Sequence, residues 1–290
     1  MSSWTGKSRG TLLGHKIVVV TLQYLGLSKT YLLVKLISFY FYLFAASPKK
    51  AILDFYQYQL GYGLAESKNL CRKNFNILAQ SLLDKIALLT GRGEQIHYTQ
   101  QGEEELLAWA KSGKGGFLYS AHVGNWAVAG NLLKSLDIKV NVLMLENEEE
   151  NLRGFLESQK AVAQFKVISI KEDMSHLVEI YKAIKAGEFV CINADRFLEG
   201  SKTIELDFFN GKALFPEGPF LLAEKLKTSY SFVFAVKESK FGYAFSSTTL
   251  KSSKNGAEGI AKEYVLELEK IVKKHPEQWF NYYNFMRPQT

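Results

Sequence analysis

A histidine stands at the junction between a short apolar segment and a predicted helix, a position where catalytic side chains of α/β proteins lie. The run reads Ser120-Ala-His122-Val-Gly124-Asn125-Trp126-Ala127. Residues at such a junction project into the crevice at the carboxyl ends of the strands. Backbone N–H groups at the start of the following helix can stabilise an oxyanion or a phosphate there. His122 is therefore a candidate general base, the alternative being a histidine that only caps the turn.

An aspartate and an arginine follow another apolar segment, in the run Asn193-Ala-Asp195-Arg196. The guanidinium of Arg196 can bind a phosphate through two parallel hydrogen bonds. Asp195 can hold Arg196 or contact an acceptor molecule. A structural Asp–Arg pair at the end of a strand stays open as the alternative.

A third polar run, Asn210-Gly-Lys212-Ala-Leu-Phe-Pro216-Glu217-Gly218-Pro, combines a charged pair with turn-forming residues. A turn held by Pro216 and Gly218 would present Glu217 at the start of a helix. Lys212 would add attraction for a phosphate. The alternative is a first-turn glutamate stabilised by the helix dipole.

Strands and helices alternate through the part of the chain that carries these residues. Strands are predicted at 117–121, 139–143, 166–170 and 188–193, and helices at 125–135, 148–162 and 175–185. Helices are also predicted over 49–60, 66–90 and 258–274, with further strands at 203–207, 229–236 and 243–249. This alternation predicts an α/β fold with a mixed, largely parallel sheet wrapped by helices.

The run around His122 resembles the H-x4-(D/E) signature of the lysophospholipid acyltransferase superfamily. Its H-x-G-N-W form is typical of the late acyltransferases of lipid A assembly, the lauroyl and myristoyl transferase-like branch. The Phe-Pro-Glu-Gly-Pro run at 215–219 and the His-Pro-Glu-Gln run at 275–278 also resemble blocks of that family. The likeness extends over nearly the whole chain and implies a glycerolipid acyltransferase-like fold. The block at 275–278 is expected to be structural or membrane-facing.

The resemblance implies that His122 deprotonates an acceptor hydroxyl, which then attacks the thioester of an acyl carrier protein or of acyl-CoA. The implied acceptor is a membrane lipid such as a lipid A precursor, at the cytoplasmic face of the bacterial inner membrane. The residues expected to position or bind the substrates are Gly124, Asn125, Asp195, Arg196, Lys212, Glu217 and Gly218.

The position that carries the motif carboxylate in this family is Ala127 in this chain. A carboxylate hydrogen-bonded to imidazole fixes the tautomer and favours the imidazolium, and its loss from a triad enzyme lowers the rate by about 10⁴. The resemblance therefore implies a catalytically impaired O-acyltransferase. Ala127 is either an introduced substitution or a natural variant that is inactive or uses another acid.

The apolar segment from Leu12 to Ala46 predicts helices that lie in or dip into a membrane surface. Charged residues interrupt it, so no uncharged run reaches the roughly 18 residues of a membrane span, although a single marginal span stays open as an alternative. A break is expected near 26–28. Aromatic residues at 39–44 favour the headgroup boundary. We expect a membrane-associated helical segment over 1–48 and an acyltransferase domain over 49–290, unless the helices only cap the domain core.

The net charge of +7 suits anionic lipid headgroups or an acidic carrier protein. No nucleic-acid-binding motif occurs, so a nucleic-acid partner is not expected. Cys71 and Cys191 lack metal-ligand spacing, and no metal or redox cofactor is expected. The chain also lacks the G-x-S-x-G run of serine hydrolases and the phosphate-binding loop of P-loop enzymes.

Two further readings stay open besides an acyltransferase. One is a non-catalytic membrane protein that binds acyl chains or lipids, which Ala127 favours. The other is a basic membrane-associated scaffold, in which Arg196 and Glu217 would not face a common cleft with His122.

Overall fold

The computed structural model describes residues 12–135, 137–146, 148–150, 154 and 165–286. The helices are α1 (Leu12–Phe44), α2 (Ala46–Asp54), α3 (Leu64–Leu89), α4 (Glu103–Lys111), α5 (Trp126–Ser135), α6 (His176–Lys185), α7 (Gly218–Leu226) and α8 (Gly256–Lys274). The strands are β1 (His97–Gln101), β2 (Gly116–Ser120), β3 (Val140–Leu145), β4 (Lys166–Ile170), β5 (Phe189–Asn193), β6 (Thr203–Phe208), β7 (Gly211–Pro216), β8 (Ser229–Lys237), β9 (Gly242–Ser247) and β10 (Lys251–Ser252).

Eight of the described strands form one sheet in the order β1-β9-β8-β2-β5-β3-β4, with β10 paired to β8. The central strand β2 is parallel to both of its neighbours, β5 and β8. The pairs β3–β5, β3–β4 and β1–β9 are also parallel, whereas β8–β9 is antiparallel. The strands β6 and β7 form a separate antiparallel hairpin. The predicted α/β fold with a mixed, largely parallel sheet is confirmed.

Two apolar layers cover the two faces of the sheet, because successive residues of a strand point to opposite sides. Phe117 and Tyr119 of β2 pack in one layer with residues of α2, α6, α7 and α8. Leu118, between them, packs in the other layer with residues of α1, α3, α4 and α5. All three side chains are fully buried. The sheet is therefore wrapped by helices on both sides, and its strand ends are fixed in place.

Helix α1 shares the second of these layers, through Leu22, Leu27, Tyr31 and Val34. It packs along α3, and its helical geometry breaks at Gly26, where φ is 74° and ψ is 172°. The break lies where the sequence predicted one. Among the described residues, Lys16–Phe44 is the one stretch of helix long and apolar enough to cross a membrane. An N-terminal apolar helix that could associate with a membrane is thus part of the fold.

Most predicted elements agree with the structure to within a few residues. The strand predicted at 166–170 has those bounds, and the strand predicted at 188–193 begins one residue later. The helix predicted over 49–60 begins earlier, at Ala46, and ends in a π-helical turn, Phe55–Gln59. Four of the described elements were not predicted: β1, α4, β7 and the two-residue β10. The helix predicted over 148–162 falls largely outside the described residues.

Candidate active site

The ends of two neighbouring parallel strands bring the candidate base and a carboxylate together. Ser120, the last residue of β2, is the register partner of Asn193, the last residue of β5. The pairing continues one residue further, because the Ala194 amide donates a hydrogen bond to the Ser120 carbonyl at 2.9 Å. His122 and Asp195 stand two residues beyond their strands, and they therefore meet at the carboxyl edge of the sheet.

His122 contacts Asp195 through both its ring and its backbone. The ring Nδ1 lies 2.7 Å from Asp195 Oδ1, and the His122 amide donates to Asp195 Oδ2 at 3.0 Å. The Asp195 side chain is 1% exposed, whereas the His122 side chain is 24% exposed. Asp195 was expected to hold Arg196 or to contact the acceptor, and in the structure its two oxygens contact the His122 ring and amide. Because Nδ1 is directed at the carboxylate, Nε2 is the ring nitrogen that can exchange a proton with a substrate.

Asp195 is ionised at any ordinary pH in spite of its burial. Burial alone would raise its pKa, but the adjacent His122, its hydrogen bonds to the carboxylate and the nearby Arg196 lower the pKa from 3.8 to about 2. A carboxylate favours the positive charge that an imidazole takes up when it accepts a proton. The pair therefore combines an ionised carboxylate with a direct contact to the ring Nδ1, and these are the properties that a general base and its orienting acid require.

The C-terminal segment after α8 holds this loop from the other side. The Phe280 amide donates to the His122 carbonyl, and the Gly124 amide donates to the Gln278 carbonyl, both at 2.9 Å. The indole Nε1 of Trp279 lies 3.4 Å from Asp195 Oδ2. Gln278 and Trp279 are 1% and 3% exposed, so this part of the His-Pro-Glu-Gln-Trp block is buried against the loop that contains His122 and does not face a membrane.

Gly124 and Asn125 form the turn between β2 and α5. Gly124 has a φ of +67°, and a Cβ atom on it would lie 2.0 Å from the Ala235 carbonyl oxygen. The Asn125 amide donates to that same oxygen at 2.8 Å. The Asn125 side chain donates to the Ser81 carbonyl and accepts from the Ala127 amide, which caps α5.

These contacts change the expected role of the turn. The amides of Gly124, Asn125 and Ala127 all donate hydrogen bonds within the protein, so in this structure they hold the turn. The Asn125 side chain likewise supports the turn. Ala127 itself is 4% exposed on the first turn of α5.

Arg196 lies beside the His122–Asp195 pair, and its Nη2 donates to the Phe280 carbonyl at 2.6 Å. The start of α7 also lies near β2, because the Tyr119 hydroxyl donates to the Pro219 carbonyl at 2.8 Å. Glu217 immediately precedes α7, and Gly218 is its exposed first residue.

Lys212 belongs to the β6–β7 hairpin, where its Nζ lies 3.7 Å from Glu205 and 3.8 Å from Asp207. Its side chain is 60% exposed. The contacts seen for Lys212 are therefore with its own hairpin and not with the His122 loop.

Comparison with known families decides the classification. The family model described as bacterial lipid A biosynthesis acyltransferase matches residues 11–284. This chain belongs to that family. No curated protein matches it. Membership assigns a membrane-associated transferase of acyl groups, which requires an acyl donor and a lipid acceptor.

Sequence reasoning did not predict the contact between His122 and Asp195 in this member of the lipid A acyltransferase family. A signal was present, because both strands end in a polar residue followed by alanine and then by the polar side chain of the pair: Ser-Ala-His and Asn-Ala-Asp. The sequence does not state that β2 and β5 are neighbours, however, and the two residues are 73 positions apart.

Trp279→Phe is expected to lower kcat by about fivefold to tenfold. The change removes the indole N–H from Asp195 and keeps an aromatic ring, and one lost hydrogen bond corresponds to about 1 kcal/mol. Trp109→Phe, at a tryptophan that is also buried but packs on Phe189 in another part of the fold, is the control. Equal kcat values for the two variants, measured at matched thermal stability, would show that Trp279 does not position the carboxylate.

Asp195→Asn is expected to make the unfolding free energy less dependent on pH below about pH 5. A depressed aspartate pKa stabilises the fold above the unfolded pKa, and this stabilisation is lost as the pH falls from about 4 towards 2. Between pH 5 and pH 2 the unfolding free energy of the unaltered chain should fall by about 2 kcal/mol more than that of the variant. Urea titrations at several pH values measure the difference, and parallel profiles would contradict it.

Proposed function

We propose that the chain is an O-acyltransferase in which His122 and Asp195 form the catalytic pair. It moves a fatty acyl group from an acyl carrier protein or from acyl-CoA to a hydroxyl of a membrane lipid, with a lipid A precursor or a related bacterial lipid as the acceptor. The observation that carries the proposal is the 2.7 Å contact between His122 Nδ1 and Asp195 Oδ1 at the carboxyl edge of the sheet.

In the proposed reaction, His122 Nε2 takes the proton of the acceptor hydroxyl while the oxygen attacks the thioester carbonyl carbon. The new C–O bond gives a tetrahedral intermediate, which collapses with cleavage of the C–S bond. The departing thiolate takes the proton back from His122. Asp195 keeps Nδ1 protonated throughout and stabilises the transient imidazolium, the role that the orienting acid has in a catalytic triad.

Asp195 supports activity despite the alanine at the motif position. The expectation of an impaired enzyme depends on Ala127 leaving the imidazole without a carboxylate. Asp195, which follows the neighbouring strand β5, already contacts Nδ1 through its carboxylate. We therefore propose that the chain is catalytically competent as it stands and uses Asp195 as the acid that orients the base.

The remaining polar residues have proposed roles in binding. Arg196 lies beside the pair and carries the guanidinium best suited to a phosphate of the acceptor. Glu217 and Gly218 at the start of α7 would contact the acceptor, and Lys212 would add charge attraction. Basic surface residues would attract the acidic carrier protein or the anionic lipid at the cytoplasmic face of the inner membrane. An apolar groove would hold the acyl chain, at about 0.8 kcal/mol per buried CH₂.

The test is a paired assay of the unaltered chain and Ala127→Glu. Both receive labelled acyl carrier protein or acyl-CoA, with lipid A precursors and mixed bacterial lipids as acceptors. We expect the unaltered chain to form acylated lipid and the Ala127→Glu change to give no gain, because Nδ1 already has its acid. If only the Ala127→Glu form made acylated lipid, the unaltered chain would be an enzyme disabled by Ala127. Acyl-chain binding without turnover by either form would favour the non-catalytic lipid-binding protein.

A further inference from the structure

A buried ion pair joins helix α3 to strand β8. Lys237 Nζ of β8 lies 2.6 Å from Asp84 Oδ2 of α3, and the two side chains are 5% and 0% exposed. Tyr31 of α1 and Tyr243 of β9 each donate a hydroxyl hydrogen bond to the same carboxylate at 2.5 Å. The two hydroxyl oxygens lie 3.0 Å and 3.4 Å from Lys237 Nζ. Donors from three different elements therefore meet at the Asp84 carboxylate.

Stability alone does not account for a pair of this kind. Taking two charges out of water costs about as much as their attraction returns, and apolar side chains of similar volume often stabilise a fold as well or better. A fully hydrogen-bonded polar network does, however, restrict how the elements that it joins can shift, because its contacts are directional. The pair between Asp84 and Lys237 therefore fixes α3 and β8 relative to each other.

Helix α3 and strand β8 are also the two elements that hold the turn after His122. The Asn125 side chain donates to the Ser81 carbonyl of α3 at 2.9 Å, and the Asn125 amide donates to the Ala235 carbonyl of β8 at 2.8 Å. Ser81 lies about one helical turn before Asp84, and Ala235 lies two residues before Lys237, on the same face of the strand. Asn125 thus bridges α3 and β8 beside the place where the ion pair bridges them.

A second connection between the ion pair and the turn runs through Gln278. Its side chain accepts from the Lys237 amide and donates to the Lys237 carbonyl, both at 2.7 Å. Its own carbonyl accepts from the Gly124 amide at 2.9 Å. Because Gln278 is 1% exposed, a shift of the Lys237 backbone is transmitted to Gly124 through one buried side chain.

We propose that Asp84 and Lys237 are positioning residues of the active site, which fix the turn at Gly124 and Asn125 and thereby the direction of the His122 imidazole. Tyr243 adds to the connection, since its hydroxyl contacts Asp84 and lies 3.5 Å from Asn125 Nδ2. The inference rests on the proposed function, in which His122 is the base. Both charges are buried and act through the turn, so they set kcat and not KM.

A neutral double variant separates positioning from stability. Asp84→Asn and Lys237→Met alone each leave a buried charge without its partner, and each should be strongly destabilised. The double variant has no unpaired charge, and its urea midpoint should return most of the way to that of the unaltered chain. Its kcat should nevertheless stay about tenfold to a hundredfold lower, with KM within about twofold. Recovery of kcat together with stability would overturn the proposal.

The double variant Glu263→Gln with Lys251→Met is the matched control. This partly exposed pair also joins a strand to a helix, β10 to α8, at 2.9 Å, and its carboxylate also accepts a tyrosine hydroxyl, that of Tyr230. Its carboxylate contacts Asn255 and not the turn at Gly124. The control should retain kcat within about twofold. An equal fall of kcat in the two double variants would overturn the proposal.

Two single tyrosine variants test the proposal if the Asp84→Asn, Lys237→Met chain does not fold. Tyr243→Phe and Tyr31→Phe each remove one hydroxyl from Asp84. Tyr243 also contacts Asn125, whereas Tyr31 donates instead to the Lys240 carbonyl. Tyr243→Phe should lower kcat about fivefold, and Tyr31→Phe less than twofold. Equal kcat values for these two variants would overturn the positioning role.

Nitrogen NMR of histidine-labelled protein needs no acyl donor and therefore separates the two proposals. The Nδ1 signal of His122 is assigned by its absence from His122→Asn. It should shift in the Asp84→Asn, Lys237→Met chain and stay in place in the control. If it shifts and no chain forms acylated lipid, the positioning role stands and the proposed function fails. If it does not shift, and the neutral variant transfers acyl groups at the full rate, the function stands and the positioning role fails.

Discussion

The Asp195→Asn variant is expected to transfer acyl groups about 10⁴-fold more slowly than the unaltered chain, with little change in KM. The amide keeps the shape of the side chain but removes the charge that stabilises the imidazolium, and it no longer fixes the tautomer that places the proton on Nδ1. KM should change little because the Asp195 side chain is 1% exposed and its oxygens contact His122. Initial rates at saturating donor and acceptor measure the effect.

Asp173→Asn is the control for this variant, because Asp173 is an exposed aspartate near the start of α6. It should retain kcat within about twofold, as surface substitutions ordinarily do. Circular dichroism must show that Asp195→Asn is folded under the assay conditions. A folded Asp195→Asn enzyme that keeps most of its kcat would contradict the catalytic pair and would leave His122 without an orienting acid.

The Gly124→Ala variant is expected to lose both stability and activity. Two costs combine at this position: a left-handed backbone, which penalises a side chain by about 1–2 kcal/mol, and a Cβ 2.0 Å from the Ala235 oxygen, which forces the turn to shift. Overpacking of this kind costs about 1–3 kcal/mol. A shifted turn misplaces His122, and kcat should fall by about 10²-fold.

Gly113→Ala separates the two costs. Gly113 has nearly the same φ, +68°, but no atom lies within 4 Å of the position that its Cβ would take. It should lose about 1–2 kcal/mol of unfolding free energy and retain its kcat. Chemical denaturation and initial rates on both variants give the comparison. If the two variants are equally stable and equally active, the close approach of Gly124 to β8 does not set the geometry of the loop.

The centre of the fold could be predicted from the sequence because its strands are buried on both faces. All five residues of β2 are buried, and the helix predicted after it, over 125–135, agrees with α5 to within one residue. β1 was missed because its residues, His97-Tyr-Thr-Gln-Gln, lack an apolar pattern, as suits a strand at the edge of the sheet. β7 was missed because its glycine and proline indicate a turn, although its residues pair with β6 over the full strand.

Only one residue of the His122–Asp195 pair could be placed in the candidate site from the sequence. The position of His122 after a strand follows from local patterns, whereas its partner depends on the order of strands in the sheet. The chain enters β5 only after β3 and β4, yet β5 pairs with β2. The contact of Trp279 with Asp195 could not be predicted either, because the C-terminal segment that contains Trp279 is distant from the His122 loop in the sequence.

The measurement that tests the central claim most directly is acyl transfer by the unaltered chain beside His122→Ala. Both are given labelled acyl carrier protein and acyl-CoA with a lipid A precursor as acceptor. The proposed mechanism predicts acylated lipid from the unaltered chain and a rate lower by about 10⁴ in the variant, because removing one member of such a catalytic unit removes most of its effect. No product from a folded unaltered chain, or equal product from both, would contradict it.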